Sequence, residues 1–96
     1  MKSLSQIKST LNKHKKRLFK EYPIKTMVIF GSYARKEQTN ESDLDLMVEF
    51  NGQIGIRFID LAEEIENLVG FKVDLVSRNG IKDKYYQTIQ SDFVYV

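Results

Sequence analysis

The chain of 96 residues contains no cysteine and a single histidine, His14. The absence of cysteine excludes disulfide bonds, thiolate zinc sites and a cysteine nucleophile. One imidazole cannot form a histidine cluster, so a bound metal must be held by oxygen ligands, which favours magnesium, manganese or calcium. The longest apolar run, Met27–Phe30, is far too short to cross a membrane, and the N-terminus lacks the apolar core of a secretory signal. We therefore expect a cytoplasmic protein that does not enter a membrane.

The length and composition predict one domain over residues 1–96. Apolar residues make up 42% of the chain and charged residues 29%, which is typical of a soluble folded protein. A chain of this size buries roughly 60–70% of the surface of its unfolded state, enough for one modest core. It leaves no room for a separate substrate-binding domain.

Positive charge is concentrated at the N-terminus. Residues 1–20 contain seven of the fifteen lysines and arginines and no acid, so residues 21–96 carry eight bases and thirteen acids, a net charge of −5. A basic segment on an acidic body is compatible with a nucleic acid or an acidic partner. The simpler interpretation is a solvated helix face, because only Phe19 offers an aromatic surface on which a base can stack.

Hydrophobic periodicity predicts three helices and three strands. Leu4, Ile7, Leu11 and Leu18 recur at helical spacing, and Pro23 ends the pattern. The predicted helices cover residues 3–20, 56–69 (closed by Gly70) and 81–91, and the predicted strands cover 24–30, 43–50 and 71–77, followed by an extended tail at 93–96. This order indicates an α/β (α+β) fold, a small sheet with helices packed on one side.

Three carboxylates form the first candidate site. Asp43 and Asp45 are two residues apart in a strand and therefore point to the same side. Asp74 joins them if strand 71–77 lies beside strand 43–50. Two carboxylates about 5 Å apart repel by about 3 kcal/mol at an effective dielectric constant of ~20, and a divalent cation removes that repulsion. Alternating acids are also common on exposed strands, so this pattern alone leaves a structural role open.

A glycine–serine pair strengthens the case for chemistry. Gly31 and Ser32 follow a predicted buried strand, where glycine lets the backbone approach a ligand closely and the following amides can bind phosphate. Ten residues separate the pair from Asp43. Four residues in this register arise by chance about once in a thousand chains of this length.

These segments resemble the nucleotidyltransferase superfamily that includes DNA polymerase beta. The resemblance rests on residues 28–35, on the pattern G-S-x10-D-x-D that ends in Asp43 and Asp45, and on the segment Val73–Val76 around Asp74. The small size of the chain resembles that of the minimal nucleotidyltransferases of the MntA type. The resemblance covers residues 22–96 and implies a mixed sheet with helices in the polymerase beta-like fold.

The resemblance implies a mechanism and a set of ligands. Asp43 and Asp45 would bind the Mg²⁺ ions that carry a nucleoside triphosphate, and Asp74 would bind the second of two ions and help to deprotonate the acceptor hydroxyl. Gly31 and Ser32 would hold the β and γ phosphates. Arg35 is a further nucleotide-binding candidate, although an ion pair that holds the turn is an alternative role. The reaction would transfer AMP from ATP and release pyrophosphate.

The acceptor is the least determined part of this hypothesis. Minimal members of the family resemble antitoxins that attach AMP to a tyrosine of a HEPN-type toxin, which is our first hypothesis. The alternatives are a non-catalytic module that occludes a partner, and a small-molecule nucleotidyltransferase completed by a separate substrate-binding subunit. Intact Asp43, Asp45 and Asp74 argue against a pure binding module.

Two further features carry open alternatives. Lys36 stands where this branch often has glycine, so that either the loop has a different shape or the lysine contacts phosphate. Tyr85 and Tyr86 are expected to pack the last helix rather than to stack on a base, and His14 is expected to be a solvated helix residue.

Overall fold

In the computed structural model, which describes residues 2–96, the N-terminal helix α1 (Leu4–Glu21) begins with a capping box. The Ser3 hydroxyl accepts the backbone N–H of Gln6 at 3.2 Å, and the Gln6 side chain accepts the N–H of Ser3 at 2.9 Å. These bonds satisfy amides that have no partner inside the helix. The helix ends just before Pro23, as the sequence predicts.

In the described part of the chain, four strands and three further helices follow α1. The elements after α1 are β1 (Ile24–Phe30), α2 (Gly31–Ala34), β2 (Leu44–Phe50), α3 (Arg57–Val69), β3 (Val73–Ser77), a 3-10 turn (Arg78–Gly80), α4 (Asp83–Ile89), a second 3-10 turn (Gln90–Asp92) and β4 (Val94–Tyr95).

The strands form one mixed sheet in the order β3-β2-β1-β4. Strand β1 runs antiparallel to β2 and β4, whereas β2 and β3 are parallel and are joined through a helix, as a parallel connection requires. The extended tail is thus a fourth strand, beside β1.

The main core lies between the sheet and the two long helices. Buried side chains of α1 and α3, such as Leu11 and Ile65, pack with Leu44, Leu46 and Val48 of β2. The predicted mixed sheet with helices is therefore confirmed, and the two long helices lie on one side of it. The prediction that all helices pack on one side is wrong for α4, because Ile89 packs against apolar residues on the opposite face. None of the helices within residues 2–96 combines the length and the apolar character needed to cross a bilayer.

The other side of the sheet carries a second, smaller core, which we call the α4 face. Ile89 of α4 clusters there with Val28, Phe30 and Met47. The alternation in β2 groups Met47 with the polar residues, but Met47 is only 4% exposed because α4 covers it. Asp45 and Asp74 lie on this same face, two residues before Met47 and Val76.

Gly70 controls the path from α3 into β3. It adopts φ +87°, the left-handed conformation expected for a glycine that ends a helix, and its N–H donates to the carbonyl of Glu66 at 2.8 Å. The chain then reverses and enters β3 directly beside β2. This turn brings Asp74 to the end of the sheet where Asp45 lies.

Candidate active site

Asp45 and Asp74 are neighbours across the parallel pair of strands. They are register partners in the β2–β3 ladder, so their side chains leave the sheet on the same face. Asp45 is partly buried and Asp74 is exposed. The candidate site predicted from the sequence requires Asp74 and Asp45 on the same side of the sheet, and the structure meets this requirement.

Asp43 precedes β2 and carries the third carboxylate. Its Oδ2 lies 3.9 Å from Nζ of Lys72, and both residues line a cavity of about 400 Å³. Within residues 2–96, the side chains of His, Asp and Glu, as they are oriented, form no group of three that would enclose a metal ion. The strands thus bring the three aspartates to one end of the sheet. Their side chains must rotate before all three can point at a common ligand.

Gly31 is required by the close approach of the Asp45 carboxylate. Gly31 has φ +75°, and a Cβ added there would lie 2.1 Å from Oδ2 of Asp45. The sequence suggested that this glycine makes room for a ligand; in the structure it makes room for a carboxylate. The glycine–serine turn and Asp45 therefore share one surface.

The surroundings of Asp45 disfavour the ionised form of its carboxyl group. Burial, then the charges of Asp74 and Asp43, raise the pKa of its carboxyl from 3.8 to about 6, and the Arg35 guanidinium opposes this rise. Phe30, 4% exposed, is the register partner of Asp45 on β1 and contributes to its low-dielectric surroundings. Negative charge at this end of the sheet is therefore incompletely compensated.

The donor set fits a hard divalent cation. All three side chains are carboxylates, the ligand type that magnesium and manganese prefer. Burial, followed by the charges of Asp74 and Asp43, raises the pKa of Asp45. A bound cation would reverse the repulsion from these two charges.

The turn after Gly31 explains the unusual position of Lys36. Lys36 has φ +59°, the one non-glycine residue with positive φ within residues 2–96. The N–H of Lys36 donates to the carbonyl of Tyr33 at 3.2 Å, and the N–H of Glu37 donates to that of Ser32 at 2.9 Å. This pair of bonds closes α2 as a Schellman motif, in which glycine is the favoured residue.

Arg35, a nucleotide-binding candidate from the sequence, holds this turn in place. Its Nε donates to Glu37 at 2.9 Å and its Nη1 donates to Asp92 at 2.8 Å. The second contact ties α2 to the segment before β4. The geometry therefore matches the alternative reading of Arg35 as a structural ion pair.

The two tyrosines of α4 differ in their surroundings. The ring of Tyr86 stands edge-on to Phe93, with 5.4 Å between the centroids, and the guanidinium of Arg78 lies 3.9 Å from its centre. Tyr86 thus packs the helix, as expected from the sequence, whereas Tyr85 is 49% exposed. His14 is partly exposed on α1.

Comparison with known families identifies the chain. The model of the family described as "Nucleotidyltransferase domain" matches residues 11–96. The chain belongs to this nucleotidyltransferase family. It is therefore an enzyme of the nucleotidyltransferase class, and the resemblance inferred from Gly31, Ser32, Asp43 and Asp45 is confirmed.

Relatives in archaea share the whole length of this nucleotidyltransferase. A candidate protein adenylyltransferase of Methanocaldococcus jannaschii is 46% identical over an alignment of 100 positions, which covers all of both chains. The protein adenylyltransferase MntA of Thermococcus cleftensis is 37% identical over 97 residues, covering 100% of this chain and 98% of the relative.

Solved structures share the fold. A candidate minimal nucleotidyltransferase superposes with a TM-score of 0.83 at 25% identity, covering 99% of this chain and 97% of the other. A chain from the complex of tri-AMPylated HEPN toxin with MNT antitoxin of Shewanella oneidensis gives a TM-score of 0.68 at 22% identity, covering 93% and 70% of the two chains. These superpositions confirm the mixed-sheet nucleotidyltransferase fold.

Sequence reasoning assigned no role to Lys72. The available signal is its spacing, because Lys72 precedes Asp74 by two residues and so belongs to the same side of the extended chain. Only the pairing of β2 with β3 brings it to Asp43.

Proposed function

We propose that this nucleotidyltransferase is a protein adenylyltransferase, which transfers AMP from ATP to a hydroxyl of a partner protein with the help of Mg²⁺. The observation that carries the proposal is the alignment of Asp45 with Asp74, in a surface that Gly31 completes. The acceptor we propose is a tyrosine of a HEPN-type toxin, which the enzyme silences.

The three aspartates are the proposed catalytic residues. Asp43 and Asp45 would hold the magnesium ions together with the triphosphate, and Asp74 would complete the site for the second ion. When bound, two magnesium ions would neutralise charge on the triphosphate and on the leaving pyrophosphate. Gly31 and Ser32 contact the β and γ phosphates in this proposal and orient the α-phosphorus towards the acceptor.

The transfer exchanges one phosphorus–oxygen bond for another. The acceptor oxygen attacks the α-phosphorus, and the bond from that phosphorus to the oxygen bridging the α and β phosphates breaks. Pyrophosphate leaves with the electron pair, and Asp74 helps to remove the acceptor proton. Positioning and charge stabilisation carry such a reaction, which suits a site built from carboxylates and a backbone turn.

The acceptor assignment draws on relatives. A chain that shares all its length with a protein adenylyltransferase at 37% identity is expected to modify a protein. A related fold occurs in a complex with a tri-AMPylated HEPN toxin. Residues 2–96 contain few elements beyond those that form the site, and we propose that a partner supplies the acceptor.

Transfer of a labelled nucleotide tests the proposal. The purified protein is incubated with Mg²⁺ and with ATP labelled either on the α-phosphate or on the γ-phosphate, in the presence or absence of a purified HEPN-type toxin. We expect the α label, and not the γ label, to appear on the toxin. Mass spectrometry should then locate the added AMP on a tyrosine.

Matched variants separate catalysis from folding. Asp45→Ala should abolish labelling without lowering the temperature of thermal unfolding. Asp60→Ala, at an exposed acid on α3, should label the toxin at the normal rate. Toxin inhibition without labelling would refute the enzymatic role and favour occlusion. Label found on a small hydroxyl compound and never on protein would refute the protein acceptor.

A further inference from the structure

Lys72 is the loosely held cation of the active site. Its Nζ lies 3.9 Å from Oδ2 of Asp43, beyond hydrogen-bond distance, and its side chain is 74% exposed. Exposed ion pairs of this kind contribute little to stability. The contact therefore leaves the ammonium group free to exchange its partner.

The backbone of Lys72, in contrast, is held firmly. Its carbonyl accepts the N–H of Leu44 at 3.0 Å, so Lys72 is fixed beside the residue that separates Asp43 from Asp45. The side chain leaves an anchored position on a flexible stem of four carbons, which lets its charge move over several ångströms.

Two other basic groups near this end of the sheet are engaged elsewhere. Arg35 donates to Glu37 and to Asp92 at 2.9 and 2.8 Å. Lys2, which lines the same cavity as Lys72, donates its ammonium to the carbonyl of Val69. Lys72 is thus freer than either of these two groups to meet an incoming anion.

The position of Lys72 in the sheet determines which part of a bound triphosphate its ammonium group meets. The strand order β3-β2-β1 puts Lys72 and Gly31 on opposite sides of the carboxylates of β2. Strands are about 4.8 Å apart, so these two positions are about 10 Å apart. A triphosphate with its β and γ phosphates at Gly31 would extend its α-phosphate towards Lys72.

We propose that Lys72 is a nucleotide-binding residue, which releases Asp43 and binds the α-phosphate oxygens when the nucleoside triphosphate and its divalent cation bind. The inference rests on the proposed function and adds to it a residue and a change of partner. In the free enzyme Lys72 competes with the cation for Asp43; in the loaded enzyme it binds the phosphate whose phosphorus is attacked.

Two binding measurements on Lys72→Met test this exchange. Without nucleotide, Mg²⁺ binding measured by calorimetry should tighten by about two- to fivefold, because a competing ion pair is lost. With Mg²⁺ and a non-hydrolysable ATP analogue, nucleotide binding should weaken about tenfold, because a charge-assisted hydrogen bond is lost. Lys72→Arg should restore nucleotide binding to within about twofold of the native value.

Lys25 offers a matched control. Its ammonium also lies 3.9 Å from a carboxylate, that of Glu49, and its side chain is 61% exposed, but it lies on the opposite end of β1 from Gly31. Lys25→Met should change neither measurement, and both variants should unfold at the native temperature.

The results distinguish the inference from the proposed function. Opposite shifts of the two affinities in Lys72→Met support the exchange. Native nucleotide affinity in Lys72→Met, or equal weakening of both affinities, would overturn the inference. The proposed function would still stand if the native enzyme binds Mg²⁺ and ATP. A native enzyme that binds no Mg²⁺–ATP would overturn both.

Discussion

Replacement of Asp45 by asparagine should stabilise the protein in the absence of metal. Burial and the charges of Asp74 and Asp43 raise the pKa of Asp45 from 3.8 to about 6. A rise of this size corresponds to about 3 kcal/mol without screening. Asp45 is only partly buried, so solvent reduces the effect to about 1–2 kcal/mol.

The size of this effect depends on pH. Because the folded protein holds the Asp45 proton more tightly than the unfolded chain does, the free energy of unfolding falls as the pH rises from about 4 to about 6. The loss persists at pH 7, where the folded protein carries an ionised and repelled Asp45. Asparagine does not titrate, so the stabilisation by Asp45→Asn should be near zero at pH 3.5 and complete by pH 7.

Thermal unfolding followed by circular dichroism, in EDTA and across this pH range, measures the difference. At pH 7 the melting temperature of Asp45→Asn should rise by about 4–16 °C, given about 4–8 °C per kcal/mol for a domain of this size. Asp60→Asn on α3 provides an exposed control, with no pH-dependent gain. Added Mg²⁺ should stabilise the native protein more than the variant. Parallel pH profiles for Asp45→Asn and the native protein would refute the electrostatic account.

Three further substitutions test the local geometry by urea titration. Gly31→Ala should lower the free energy of unfolding by about 2–4 kcal/mol, because φ +75° is strained for alanine and its Cβ meets the Asp45 carboxylate. This cost should fall to about 1–2 kcal/mol in an Asp45→Ala background. Equal costs in both backgrounds would contradict the clash. Lys36→Gly should raise it by about 0.5–1 kcal/mol, since φ +59° suits glycine; a loss of stability would show that the lysine side chain stabilises the turn. Tyr22→Phe should lower it by about 1–2 kcal/mol, because the hydroxyl donates to Glu64 at 2.8 Å; an unchanged value would mean that water replaces this bond.

The glycine–serine turn illustrates both the reach and the limit of sequence reasoning. The need for glycine at position 31 was predictable, because a strand that ends at a helix beside a candidate ligand site favours a residue without a side chain. Its cause was not, since the atom that occupies the space is Oδ2 of Asp45, fourteen residues away. The glycine preference at position 36 likewise has a cause that appears in the backbone, where Lys36 has φ +59°.

Two features that depend on distant parts of the chain were harder to predict. Residues 94–95 are too short for a strand pattern, and they become β4 because β1 offers an unpaired edge. Met47 occupies a position that alternation assigns to the polar side, and it is buried because α4 crosses that side of the sheet. Short elements depend on what covers them, which local periodicity does not record.

Local patterns in the sequence by themselves determined the boundaries of α1, the alternation of β2 and the common direction of Asp43 and Asp45, because helix and strand periods depend on neighbouring residues alone. The tertiary structure decided which distant residues join them. Asp74 meets Asp45, and Lys72 meets Asp43, only because β3 pairs in parallel with β2. Parallel pairing is made by packing of the intervening helix against the sheet, and no spacing along the chain encodes the register in which two separate strands meet.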